Sequence, residues 1–337
     1  MSAGSTLPVL DLRPLWHNTA DLPALAHSLH RACRASGFFY ITHHGIPSAL
    51  ITALERQART FFALPLDQKQ QLSMSHGGRA WRGYFPVGSE LTSGQPDIKE
   101  GLYLGQELPL SHPLVQAQTP LHGANLFPTQ LPGFRETVLA YLDALTALGQ
   151  QLMRLIALSL ELPPDYFARH VTADPLVLFR LFHYPALPSD EQRLWSVGEH
   201  TDYGLLTLLW QDEHGGLEVR TREGWIEAPP MPGSFVCNIG DMLDKMTCGL
   251  YRSTPHRVRN VSGAGRLSMP LFFDPGFEAE IAPIHPKEAT LLDDDWETRW
   301  DRASVHAFRG RYGAYVQQKV SKVFPELWGE VTSFTPS

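Results

Sequence analysis

The chain has 337 residues, with 28 basic and 35 acidic side chains and a formal charge of −7. Apolar residues make up 43% and charged residues 19%, which excludes a disordered polyelectrolyte. A chain of this length buries about 75% of its unfolded surface and folds without disulfides or a structural metal, so a metal site would be there for chemistry.

In chain order, Leu22, Leu25, Ala26, Leu29, Ala32 and Cys33 share one helical face, and Gly37 closes that helix. Phe38-Phe39-Tyr40-Ile41 reads as a buried strand, and a second helix runs through Leu50, Leu54, Ala58 and Phe61. Residues 75–130 are rich in Gly, Pro and Ser and hold one short strand candidate, Gly101 to Leu104; long loops of this kind tend to be functional. Apolar spacing is helical again from Phe134 to Leu162. After Pro175 come short segments rich in branched or aromatic residues: Leu176–Tyr184, Leu205–Trp210, Leu217–Arg220, Ser234–Ile239, His256–Val261 and Arg266–Asp274. That rhythm predicts an antiparallel sandwich or jelly roll. Trp296 to Phe324 returns to a helical pattern. The expected architecture is mainly β with flanking helices: an N-terminal α/β region (1–174), a β core (175–290) and a C-terminal helical segment (291–337), packed as one unit.

The remaining composition narrows partners. A pI near 6.1 without Lys/Arg blocks argues against nucleic-acid binding. Cys33, Cys237 and Cys248 are odd in number and lack CxxC spacing, pointing to a reducing compartment. The N-terminus lacks a basic region followed by an apolar one, and no run of 18 apolar residues offers a membrane span. A cytoplasmic monomer acting on a small molecule is the expectation.

Among fifteen histidines, one is followed two residues later by a carboxylate: His200-Thr201-Asp202. Chance alone would place such a pair, so the geometry matters. In an extended segment residues i and i+2 project from one face, which lets both bind one ion. Two His and one carboxylate on one face of an ion form the set diagnostic of non-heme Fe(II) oxygenases. His256, opening a strand-like segment after Ser253-Thr254-Pro255, is the best third ligand. His214, His43, His44, His112 and His285 adjoin Gly or turn residues, and His183 could be a satisfied core histidine. Arg266-Leu267-Ser268 opens the next strand, where an inward guanidinium calls for an anion to meet it.

These residues resemble the isopenicillin N synthase-like Fe(II)/2-oxoglutarate-dependent dioxygenases. The matching blocks are Gly198 to Asp212, Gly233 to Asp241, Tyr251-Arg-Ser-Thr-Pro-His256, and Arg266-Leu-Ser268. Pro8-Val-Leu-Asp-Leu, Gly37 to Ile46 and Phe61-Phe62 are similar to that family's N-terminal region, so the resemblance spans residues 7 to 325. It implies a double-stranded β-helix, Fe(II) on His200, Asp202 and His256, and 2-oxoglutarate with its distal carboxylate on Arg266, Ser268 and Tyr184. It further implies O2-dependent conversion of 2-oxoglutarate to succinate, coupled to hydroxylation or desaturation of a small molecule. Arg82 and Tyr84 fall near a substrate-contacting segment, and Phe272 near the iron mouth. Two departures stand out. Phe182 occupies the place where many members carry Asn, and the tail Glu330–Ser337 lacks the glutamine of the enzymes that work without 2-oxoglutarate. An oxidase of that second kind and an ethylene-forming reaction are the alternatives within the family. A metal-free binding module and a structural zinc site are the alternatives outside it; the intact triad opposes the first and the missing fourth ligand the second.

Overall fold

The computed structural model describes residues 6–17, 19–187, 195–260, 263–284 and 304–325, with Glu297, Arg299, Arg302 and Gly329. The strands are β1 (Val9–Asp11), β2 (Phe38–Thr42), β3 (Gly83–Phe85), β4 (Leu91–Thr92), β5 (Gln95–Pro96), β6 (Glu100–Gly105) and β7 (Leu176–Tyr184), followed by β8 (Val197–His200), β9 (Leu206–Gln211), β10 (Leu217–Thr221), β11 (Gly224–Glu227), β12 (Ser234–Ile239), β13 (His256–Val258) and β14 (Arg266–Asp274). One sheet runs β1-β2-β12-β9-β14-β7-β6-β3, a second runs β11-β10-β13-β8, and β4-β5 is a hairpin. Both sheets line one cavity, so they enclose it as the two faces of a jelly roll.

Alternation along two strands positions that cavity. On β14, Arg266, Ser268, Pro270, Phe272 and Asp274 line it, while Leu267, Met269, Leu271 and Phe273 are fully buried among the packed helices and strands behind. On β7, Leu178, Arg180, Phe182 and Tyr184 face the cavity in the same way. This is the period of two expected of a strand. Behind the sheet lies the helix Phe134–Ser159, flanked by the helices Leu22–Ala35 and Ser48–Phe62. Gly37 follows the first of these with φ +65°, and a Cβ there would come 2.1 Å from the Arg252 carbonyl oxygen.

Gly149 gives a test of this packing. A Cβ there would come 2.5 Å from the Phe273 ring, which is itself fully buried. Alanine would gain about 1 kcal/mol of helix propensity, but overpacking costs about 1–3 kcal/mol. Gly149→Ala is therefore expected to lower stability, by on the order of 1 kcal/mol, in urea denaturation. A stabilised variant would show that the helix can move off the sheet.

Two expectations change. Residues 75–130 contain more structure than one strand: a 3-10 segment Met74–Ala80, β3, the β4-β5 hairpin, β6 and a short helix Pro113–Gln116. The expected strand at Gly101 to Leu104 is β6, where a Cβ at Gly101 would press on the Phe85 and Phe182 rings, so close packing demands the glycine. Among the described residues the C-terminal segment holds the helix Tyr312–Val323. Residues 304–311 are non-helical, and Gly310 at φ +118° stops helix from extending upstream. Trp296, Val261, His285 and the tail 330–337 lie outside the described residues. No helix among the described residues is long and apolar enough to cross a membrane.

Candidate active site

His200 ends β8, His256 begins β13, and the two are cross-strand partners. Asp202 lies in the turn just after β8, not on the strand itself. Its Oδ1 stands 3.9 Å from His200 Nε2 and 3.7 Å from His256 Nε2. An octahedral ion with ligands at about 2.1 Å spaces neighbouring ligand atoms by roughly 3 Å, so both carboxylate–histidine spacings are within about an ångström of a facial set, and all three atoms lie within 4.8 Å of one another.

The surroundings orient each of the three. Nδ1 of His200 bonds the Gly198 carbonyl at 2.9 Å and Nδ1 of His256 the Thr254 carbonyl at 3.2 Å. Those carbonyls take the Nδ1 protons and leave both Nε2 lone pairs inward. Burial, and then the neighbouring His200, pushes the His256 pKa down to about 4, which keeps it in the neutral form a metal requires. Asp202 Oδ2 accepts from Asn238 Nδ2 at 2.7 Å and from the Thr207 hydroxyl, which turns Oδ1 toward the histidines. The backbone N–H groups of Asp241 and Met242 hold the ligand turn through the carbonyls of Asp202 (2.7 Å) and Gly204 (2.9 Å).

Arg266 enters the same cavity, 1% exposed, beside Tyr184 on the adjacent strand. Nη2 donates to Gln211 Oε1 at 3.1 Å, and the guanidinium lies 4.7 Å from the Tyr184 ring centre. Nε and Nη1 are buried without a partner. The Ser268 hydroxyl donates to the Tyr184 hydroxyl at 3.4 Å. A buried guanidinium with two idle donors fits a carboxylate, since burying unpaired charge is costly and the planar fork matches that group. The donor set therefore fits a 2-oxo dicarboxylate that reaches from Arg266 to the triad.

The structure separates the expected substrate residues. Phe272 lines the cavity; so do Trp81, Lys99 and Tyr103 from the 75–105 segment. Arg82 and Tyr84 do not, and their expected role is corrected. Tyr84 pairs with Leu102 across β3 and β6, whereas the cavity residue of β6 is its neighbour Tyr103, so Tyr84 faces the other way. Its hydroxyl donates to Glu100 at 2.7 Å, where Lys69 (2.6 Å) and His183 (2.9 Å) also converge. Arg82 is buried behind β6, donating to the Leu104 and Leu121 carbonyls at 3.3 and 3.1 Å. Residues that sequence reasoning missed are Thr207, Asn238, Gln211, Arg180 and Asp274. The signal for the first three lies in strand register: Asn238 pairs with Thr207, and Gln211 with Ser268.

Asp274 carries a pH signature. It lines the cavity, accepts from the Tyr312 hydroxyl at 2.6 Å, and is driven by burial to a pKa of about 7. The folded state therefore holds a proton that the unfolded state has released between about pH 4 and pH 7, and stability falls as pH rises through that window. Asp274→Asn keeps the acceptor and removes the ionisation. It is expected to match wild type below about pH 4 and exceed it above pH 7.5 by on the order of a few kcal/mol. Equal pH–stability curves for the two proteins would refute this.

Comparison with known proteins follows the same lines. Residues 7–130 match the family model described as the N-terminal region of a non-haem dioxygenase in morphine synthesis, and residues 175–275 match the 2OG-Fe(II) oxygenase superfamily. A Dictyostelium discoideum protein described as a probable iron/ascorbate oxidoreductase is 49% identical, over 96% of this chain and 96% of its own. A homoarginine-6-hydroxylase of Glycine max is 34% identical, over 96% of this chain and 98% of its own. A full-length Neurospora crassa protein crystallised in complex with alpha-KG and thymine superposes with a TM-score of 0.78 at 27% identity, covering 95% of this chain and 98% of its own. With triad, guanidinium and jelly roll in place, the chain belongs to the Fe(II)/2-oxoglutarate-dependent oxygenases, enzymes that use Fe(II), O2 and 2-oxoglutarate.

Proposed function

We propose that His200, Asp202 and His256 hold the iron, that Arg266, Ser268 and Tyr184 hold the distal carboxylate of 2-oxoglutarate, and that a small molecule binds beside Phe272. The observation that carries this is the Arg266 guanidinium, buried with two idle donors in the same cavity as the triad. When bound, Fe(II) and 2-oxoglutarate together with O2 supply the oxidising chemistry that yields succinate, CO2 and an oxidised substrate.

The chain's own residues position and shield. Arg266 neutralises and orients the cosubstrate, and charge-assisted bonds of this type are the strong ones. Asn238 and Thr207 fix the carboxylate ligand and its lone pairs. Leu178, Leu209, Val316, Val320 and Phe324 line the cavity and exclude water, which strengthens every electrostatic contact inside. The likeness to a homoarginine-6-hydroxylase supports hydroxylation of a small polar molecule. The net charge of −7 and the cysteine pattern support a cytoplasmic enzyme without nucleic-acid partners.

The test is succinate release by the Fe(II)-loaded enzyme with 2-oxoglutarate and O2, without and with a substrate panel that includes L-homoarginine and thymine. Succinate formed in step with O2 consumption, and raised by a panel member, is the expected result. Oxygen uptake that depends on substrate and ignores 2-oxoglutarate would overturn the reading.

A further inference from the structure

The cavity contains a second buried guanidinium. Arg180 sits on β7, is 6% exposed, and lines the cavity on the same strand face as Tyr184. Its Cζ lies 3.4 Å from the Tyr103 ring centre and 5.7 Å from that of Phe272, so two aromatic rings hold it in the cavity wall. Its Nη1 bonds to backbone, reaching the carbonyls of Phe179 at 3.2 Å and Leu104 at 3.4 Å. The Leu104 carbonyl is the one Arg82 also uses, at 3.3 Å, so two guanidinium groups converge on one neutral acceptor.

No carboxylate among the described residues forms an ion pair with Arg180. The carboxylates of this cavity are committed elsewhere. Glu90 takes the Tyr103 hydroxyl and lies 2.8 Å from Lys99 Nζ, Asp202 belongs to the triad, and Asp274 takes Tyr312 and attracts Arg180 without an ion-pair contact. The neighbouring Arg82 adds positive charge and offsets none. A buried cation with no carboxylate in contact is unfavourable, so an anion placed beside Arg180 in this cavity is stabilised.

We propose that Arg180 anchors a carboxylate of the primary substrate, so that the enzyme acts on organic acids or amino acids and discriminates against neutral molecules of the same shape. Arg266 and Arg180 then divide the work: one binds the cosubstrate acid, the other the substrate acid, with Phe272 packed beside the second. This rests on the reading of the cavity as the substrate chamber.

The experiment compares acids with their amides. Enzyme loaded with Mn(II) and 2-oxoglutarate under argon is titrated by calorimetry with L-homoarginine, L-arginine, phenylacetate and hexanoate, and with the amide of each. At least one acid is expected to bind ten times more tightly than its amide to wild type. In Arg180→Met that ratio falls to within twofold of one, and in Arg180→Lys part of it returns. No acid preferred over its amide, or a preference intact in Arg180→Met, overturns the proposal. Titration of 2-oxoglutarate into the same Mn(II) enzyme reports the cosubstrate site separately. Failure there would sink the proposed function, whereas acid and amide binding alike over intact 2-oxoglutarate binding would sink only the role of Arg180.

Discussion

Asp202→Ala is expected to leave a folded protein that no longer retains iron. Asp202 is the one anionic ligand of the three, and its Oδ1 stands 3.7 and 3.9 Å from the two histidine nitrogens. Removing an outer partner of a metal ligand costs about 10–100-fold in affinity, and loss of the ligand itself exceeds that range. Iron retained after anaerobic loading and gel filtration should drop from one equivalent to background, and succinate production with it. Asn238→Ala separates ligation from support. It leaves all three ligands and removes the 2.7 Å bond to Oδ2, so iron affinity should weaken by about 10–100-fold while excess iron restores turnover. The fold should survive in both, because the ligand turn is also held by the Asp241 and Met242 N–H groups. Stoichiometric iron in Asp202→Ala would remove Asp202 from the metal site.

How much of this was legible in the sequence depends on which interactions are local. The His200–Asp202 pair is two residues apart and was visible; its support by Asn238 spans 36 residues and comes only from the β9–β12 register. Gln211, 55 residues from Arg266, is in the same position across β9 and β14. The boundaries of β7, β12 and β14 were readable because branched and aromatic runs end at turns. β6 was readable as Gly101 to Leu104, whereas β3 was missed: it is three residues long and opens on Gly83, which packs against the Leu72 and Met74 backbone. Arg82 and Arg180 show the harder limit. β7 is buried on nearly every residue, so the sequence does not reveal which parity faces the cavity. Register then decides: Tyr103 opposite Arg180 faces the cavity, while the Tyr84–Leu102 pair faces away. Phe182 fills the place of an expected polar contact, and the structure puts Lys99 Nζ 4.8 Å from its ring centre.

Arg266→Lys and Arg266→Met are expected to part company on 2-oxoglutarate affinity. The wild-type guanidinium spends Nη2 on Gln211 and keeps Nε and Nη1 for a ligand. Lysine preserves the charge and replaces the fork with a point donor. Losing one bond to a charged group costs about 1.5–3 kcal/mol, or roughly 10- to 150-fold in the dissociation constant. Methionine removes the charge as well. Truncating one member of a buried charge pair costs about 2–5 kcal/mol, so affinity should fall by at least roughly 30-fold and by as much as several thousand-fold. Anaerobic titration of the visible absorption of the Fe(II)–2-oxoglutarate complex measures both. Thermal unfolding supplies the control that a structural arginine would fail. A ligand that binds only the folded state stabilises it, by about 2.7 kcal/mol at one hundred times its dissociation constant. Wild type should therefore gain thermal stability from millimolar 2-oxoglutarate, and Arg266→Met should gain markedly less. In the absence of 2-oxoglutarate the methionine variant should be at least as stable as wild type, because it no longer buries an unmatched cation. A methionine variant that titrates like wild type would place the cosubstrate carboxylate on another residue, with Lys99 and Arg180 the remaining cations lining this cavity among the described residues.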